Sequence, residues 1–327
     1  MLGKDGSRER RSGSLSNPIS VTICLMSHTN GSIKAIMYAL GANGGIAVAK
    51  GFAAWYTSSG AMLAEAIHSF ADCANQVLLL VGLRRAMRPV SEEHPLGYGK
   101  AIYFWSFIVA LMLFSMGGIF SIYEGVHKML HPEMPTSPWV AVVVLVVSIL
   151  LELGSLKGAL NEVNKVKGKR SLARWFKVSR QSELIVVVGE DIAALLGLLL
   201  ALAAVLLTMV TANPLFDALG TMAIGVVLVL VAVTVGIEVK SLLIGESADP
   251  ETVSAMREFL SGRPEVAEIY GLITLQLGTE LMVAIKGKMQ QQGTAGALVE
   301  DINRVESALR SAFPQIRWIF FEPDVKD

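Results

Sequence analysis

A histidine and an aspartate stand four residues apart at His68 and Asp72, a spacing that puts both side chains on one face of a helix. Imidazole with carboxylate suits Zn2+, and less selectively Mn2+, Fe2+ or Co2+. Glu65 lies one turn before His68, and an acidic pair, Glu190 and Asp191, follows much later in the chain. All five sit within stretches otherwise rich in Leu, Ile, Val and Ala. An ionisable side chain at the centre of a bilayer costs roughly 2.5–3.5 kcal/mol, so the group carries a cost on the order of 10 kcal/mol. Such a cost calls for compensation by a bound cation or a water-filled cavity. The competing reading is a buried hydrogen-bonded network that fixes helix packing. Asn75 and Gln76 fit that reading better than a ligand role, because amides join helices well and bind Zn2+ poorly.

On this reading His68, Asp72 and Asp191 form a metal site across a helix–helix contact, with Glu190 as a further candidate ligand. Glu65 is a candidate for the outer mouth or for accepting protons. His94 belongs to the loop HPLGYGK (94–100), which is either a cytoplasmic metal-binding spot or a shaped turn set by its proline and glycines. His127 and His131 are read as surface residues near Glu133. Neither Cys24 nor Cys73 has the spacing of a metal motif or of a disulfide framework.

The elements that must hold these residues are membrane spans. Of 327 residues 53% are hydrophobic and only 17% charged, against about 25% charged in an ordinary soluble domain, and the mean hydropathy is +0.53. Six apolar stretches, near 34–56, 62–87, 102–127, 138–160, 183–211 and 214–239, each approach or exceed the ~20 residues a bilayer crossing needs. Stretch two holds His68 and Asp72, and stretch five holds Glu190 and Asp191. Arg84, Arg85, Arg88 and Lys100 follow stretch two. Lys165, Lys167, Lys169, Arg170, Arg174, Lys177 and Arg180 follow stretch four. The connections after stretches one and five contain no Lys or Arg, and that after stretch three only Lys128. Basic loops stay cytoplasmic, so both termini are expected inside, and the basic residues from Lys165 to Arg180 are read as topology determinants and lipid-headgroup contacts.

Residues 1–33 are polar and read as a disordered tail. Met26 opens a run that reads as a natural start, which would leave residues 1–25 outside the natural protein. The six-helix unit is expected over 34–241 and a small cytoplasmic domain over 242–327. There, helical spacing at 250–261 and 297–312 alternates with strand patterns at 265–276, at 280–288 and in the closing RWIFFE. This order predicts a ferredoxin-like α+β layer.

The segments LAEAIHSFADCANQVLLLVGLRR, HPLGYGKAIYFWS and GEDIAALLGLLLAL, with IGESADPE and WIFFEPD near the end, resemble the cation diffusion facilitator family. The wording of stretches two and five is most similar to the branch of zinc transporter nine and its bacterial relatives. The resemblance implies a homodimer in a lipid bilayer, exporting a divalent metal, foremost Zn2+ with Mn2+, Fe2+, Co2+ and Cd2+ as alternatives, in exchange for protons. It implies no enzyme activity, no cofactor, no nucleic-acid partner and a bacterial inner membrane. It also implies two ligands from helix two and two from helix five, four apart in each. Helix two matches at His68 and Asp72. Helix five matches at Asp191, but Val187 fills the position four earlier. The alternatives are a non-transporting scaffold or metal-sensing regulator and an intramembrane hydrolase. No serine triad or HExxH supports the hydrolase.

Overall fold

The computed structural model describes residues 18–57, 60–132, 138–290 and 293–326, with the side chains of residues 18–30, 53, 54, 57 and 60–68 outside that description. Its membrane part is a bundle of α1 (Pro18–Thr57), α2 (Gly60–Ala86), α3 (Ala101–Met112) continuing through a π-helical segment Leu113–Ile119 into α4 (Phe120–Leu130), α5 (Pro138–Val166), α7 (Ser182–Thr211) and α8 (Leu215–Ile244). The short α6 (Leu172–Val178) lies between α5 and α7. Among the described residues, five helical stretches are long and apolar enough to cross a membrane: Gly31–Phe52, Ala101–Leu130, Pro138–Val166, Ser182–Thr211 and Leu215–Ile244. The sixth crossing is α2, whose 27 residues span about 40 Å and whose apolar character is diluted by its own polar residues. The chain is therefore a multi-pass α-helical membrane protein of six spans. The first helix begins earlier than the composition of the tail suggests, because Pro18–Met26 (PISVTICLM) continues the helix upstream of Gly31. Its single proline stands at the first helical position, where no donor is lost.

The bundle is layered by its small residues. α1 packs on α2 and α5, α7 on α5 and α8, and α4 with the π segment on α8. At the last of these contacts Gly118 and Gly225 face each other. A Cβ on Gly225 would lie 2.7 Å from the Gly118 carbonyl oxygen, so the two backbones meet directly, the close approach that small residues permit in membranes. Elsewhere the seam is closed by a buried core that includes Ile36, Ala39, Leu79, Val109, Val163, Ile185, Val187 and Val239.

Beyond Gly245 the chain leaves the bundle and forms α9 (Pro250–Ser261), β1 (Val266–Leu277), β2 (Glu280–Met289), α10 (Ala295–Ala312) and β3 (Ile316–Pro323). The sheet order is β1-β2-β3. β1 and β2 are antiparallel with Leu272 opposite Ile285, and β2 and β3 are parallel with Val283 opposite Ile319. This is the helix–strand–strand–helix–strand order of a ferredoxin-like layer. Its core joins Met256 and Leu260 of α9 to Leu281, Val283 and Ile285 of β2 and to Val305 and Leu309 of α10. Both helices start on side-chain caps. Asp249 accepts from the Thr252 N–H with Pro250 just inside, and Thr294 accepts from the Ala297 N–H, each satisfying a donor the first turn leaves free.

This unit docks on the loop end of the bundle. Gly99, in the HPLGYGK loop, lies against the Leu277 carbonyl with no room for a Cβ. Gly278, at φ +69°, faces back so that a Cβ there would stand 2.7 Å from the Gly99 carbonyl oxygen. Tyr103 donates from its hydroxyl to the Gly278 carbonyl at 3.3 Å and accepts from the Gly278 N–H at 3.0 Å. Two of the basic residues between α5 and α7 join this contact. Arg170 bonds Asp249 and Glu251, and Arg180 bonds Glu246 and the Ser247 carbonyl. Arg170 and Arg180 thus hold the α/β unit as well as carrying the positive charge of the loop.

Candidate functional site

Three helices carry acidic residues well away from the loop end of the bundle. Asp191 is nine residues into α7, about 14 Å from its loop end, and Asp72 is fourteen residues from the loop end of α2, about 21 Å. Glu152 lies fourteen residues from the end of α5, again about 21 Å. With a hydrocarbon core about 30 Å thick, all three sit well inside the bilayer.

The neighbours on α7 part company because successive residues are rotated by about 100°. Glu190 faces α2, where it accepts from the Asn75 amide at 3.1 Å and the Gln76 amide at 2.5 Å. Asp191 faces α5, where it accepts from the Ser155 hydroxyl at 2.9 Å and lies within hydrogen-bonding reach of the Glu152 carboxyl. Both α7 carboxyls are buried, Glu190 at 4% and Asp191 at 1% exposure. Val187, one turn before Asp191 on the same face, is fully buried in the apolar core and offers no donor atom. Asp72 is half-buried and lines a cleft with Ala71, Asn75, Met112, Leu113, Met116 and Gly117. That cleft borders the π-helical segment, a departure from regular helix that recurs at functional sites.

His68 and Glu65 are part of α2, but their side chains lie outside the described residues. By helical position they continue the stripe of Asp72, Asn75 and Gln76. Among the described residues, no three His, Cys, Asp or Glu side chains are close enough together to hold a metal ion in this conformation. The model brings Glu190 to Asn75 and Gln76, and Asp191 to α5, while Asp72 stands at the cleft. His94 is exposed, stacked on Tyr98 with ring centroids 4.3 Å apart, and its backbone N–H donates to the Ser91 hydroxyl. His127 and His131 lie tilted against each other with ring centroids 4.8 Å apart at the far end of α4; Glu133 lies outside the described residues.

Glu152 is the residue the sequence reading passed over. It is 1% exposed, and its Oε2 has no hydrogen-bond partner among the described residues. The signal was present: an ionisable residue in the middle of an otherwise apolar span, with Ser148 one turn before it and Ser155 one turn after. All three are buried and share one face of α5. Among the described residues, Ser148 Oγ on α5 and Asn75 Oδ1 and Gln76 Oε1 on α2 also lack partners.

The model of the cation efflux transmembrane domain matches residues 36–244. The chain is similar to the proton-coupled zinc antiporter SLC30A9, mitochondrial, of Homo sapiens, with 35% identity over 249 residues, 75% of this chain and 44% of that protein. It is 33% identical over 222 residues to metal tolerance protein C4 of Arabidopsis thaliana, covering 67% of this chain and 49% of that one. It is 26% identical over 270 residues to the cation-efflux pump FieF of Cronobacter sakazakii, 82% of this chain and 84% of the pump. The chain spans about half the length of the first two.

Proposed function

We propose a function whose premise is membership: this chain belongs to the cation efflux family, and it moves a divalent metal cation, foremost Zn2+, across its membrane in exchange for protons. The observation that carries this reading is the burial of Glu190 and Asp191 at bilayer depth, facing polar residues of two other helices, an arrangement a lipid-embedded protein maintains only for a use that repays its cost. The printed names of the relatives, a zinc antiporter and a cation-efflux pump, support the same class. They leave Mn2+, Fe2+, Co2+ and Cd2+ as alternative cargo, to be ranked by metal competition.

We assign His68, Asp72 and Asp191 as metal ligands. Glu190 serves as a brace, because the Asn75 and Gln76 amides already donate to its two oxygens. Glu65 stands one turn from His68 as the access or proton residue, and His94 belongs to the docking loop. In the loading step His68 and the carboxylates are deprotonated and capture the metal. The helices then rock, and protons rebind as the metal leaves. Proton and metal compete for the same lone pairs, which couples their movements. The helices gather the ligands during this rocking. The chain works as a homodimer with both termini cytoplasmic, a topology supported by the basic loops and the α/β unit sharing one end of the bundle. The host membrane is a proton-energised one: the sequence reading favours the bacterial inner membrane, and the mitochondrial relatives make a mitochondrial membrane the alternative that fractionation decides.

Asp72→Ala is expected to abolish zinc-dependent proton flux in proteoliposomes made from the purified full chain. Unchanged flux would remove Asp72 from the site. One observation favours a second reading, a metal-sensing regulator: the described ligands are not gathered in this conformation. Cells expressing the parent and His68→Ala would then accumulate equal amounts of zinc, whereas a transporter separates them.

A further inference from the structure

We propose that Glu152 of α5 is a metal ligand of the transport site, so that the site is built from three helices. This inference rests on the zinc-transport reading above and extends its ligand set. The geometry supports it in three ways. Glu152 is almost wholly buried and lies beside Asp191, the ligand assigned to α7. Among the described residues its Oε2 has no partner, and a buried acceptor left without a donor costs about 1–3 kcal/mol. Among the described residues Asn75 Oδ1 and Gln76 Oε1 also lack a donor, and Ser148 Oγ, one turn before Glu152 on α5, is a further unpaired oxygen whose lone pairs can face a cation. A buried region with more oxygens than donors to satisfy them is matched to a cation.

The arrangement on α7 adds a reason of its own. A second ligand on Asp191's face would occupy the position one turn away, and Val187 there is buried in the apolar core. Among the described residues, a carboxyl within hydrogen-bonding reach of Asp191 comes from α5 instead. Ser155, one turn along α5, donates to Asp191 Oδ2 and orients it, leaving the other Asp191 oxygen and Glu152 Oε2 for the metal. A ligand set of one imidazole and three carboxylates is harder than a pair of imidazoles, so Glu152 contributes to selectivity as well as to affinity.

The test uses the purified full chain in detergent for binding and in proteoliposomes for uptake. Glu152→Gln keeps the shape and removes the charge. Its Zn2+ affinity by titration calorimetry is expected to fall at least tenfold and its KM for zinc uptake to rise by a similar factor, with the size-exclusion profile unchanged. Glu152→Asp withdraws the oxygen by one methylene, and its ratio of Zn2+ to Cd2+ uptake is expected to differ from the parent's. If Glu152→Gln binds and transports zinc like the parent while Asp72→Ala does neither, Glu152 is a packing residue and the transporter reading survives. If the parent itself neither binds nor moves Zn2+, the transporter reading fails first and this inference with it. Should Glu152→Gln lose its monodisperse profile, Glu152→Asp decides: an unchanged metal ratio overturns the assignment, and an altered one upholds it.

Discussion

Two adjacent carboxyls on α7 are given different duties by the helix itself. Glu190 is held by two amides of α2, and Asp191 faces a serine and a second carboxyl of α5. Their substitutions are therefore expected to separate. Glu190→Ala leaves the Asn75 and Gln76 amide donors buried without an acceptor, at about 1–3 kcal/mol each, so thermal unfolding in detergent should show a clear loss of stability. Glu190→Gln keeps an oxygen in place and should retain zinc affinity near the parent's. Asp191→Asn should do the reverse, keeping the fold and losing zinc affinity in calorimetry; equal losses in both isosteric variants would refute the division. The sequence disclosed these residues unevenly. His68, Asp72 and Asp191 stand out because polar groups cluster in their spans. Glu152 is a single acid in PWVAVVVLVVSILLELG, and its spacing from Ser148 and Ser155 acquires meaning only once α5 is seen to face α7. The Val187 gap was visible in the sequence, but the residue facing it from another helix was not.

At the scale of elements, the spans, their order and the α/β layer were legible because hydrophobic length and period are local properties of the chain. The π-helical segment Leu113–Ile119 was not, since the Gly117–Gly118 pair in LFSMGGI reads equally as the small-residue packing common in membrane helices. Nor was the use of HPLGYGK. Its glycines announce a turn, while the partner of that turn, Leu277–Gly278, lies far along the chain and is specified only by the fold. Gly99 and Gly278 allow the two backbones to touch, and Tyr103 closes the contact with two hydrogen bonds. Gly99→Ala places a methyl group against a carbonyl that has no flexible end to move, and overpacking of this kind costs about 1–3 kcal/mol. Faster amide hydrogen exchange at residues 276–280 is the expected result, with the helices unaffected. Tyr103→Phe removes the hydroxyl alone and should produce a smaller change of the same sign, about 0.5–1.5 kcal/mol per hydrogen bond. Unchanged exchange in Gly99→Ala would mean that the loop and the strand turn do not dock in the membrane-embedded protein.

For the whole molecule the question is what holds the α/β unit in register on the bundle. Besides the glycine contact, the connection is electrostatic: Arg170 bonds Asp249 at 3.1 Å and Glu251 at 2.8 Å, and Arg180 bonds Glu246 at 3.1 Å. The hydrogen bond from Arg170 holds the Glu251 carboxyl below its ordinary value of 4.5. A carboxyl lowered on docking contributes fully above its undocked value, and that contribution is lost as pH falls through the lowered one. The Arg170–Glu251 pair is therefore constant across the neutral range in which metal and proton exchange would be measured, and contributes no pH dependence of its own there. Glu251 is exposed, so salt screens the pair and its share of the docking energy is small. Arg170→Met, which removes both partners' counter-charge, should loosen residues 246–252 in hydrogen exchange at pH 7 and low salt. The difference from the parent should shrink at high salt and fade as pH falls through the lowered Glu251 value, where that carboxyl becomes protonated in both. The pH profile of zinc uptake between pH 6 and 8 should keep the same midpoint in Arg170→Met even if the rate changes; a shifted midpoint would place part of the proton coupling in the docking contact rather than among the carboxyls of α2, α5 and α7.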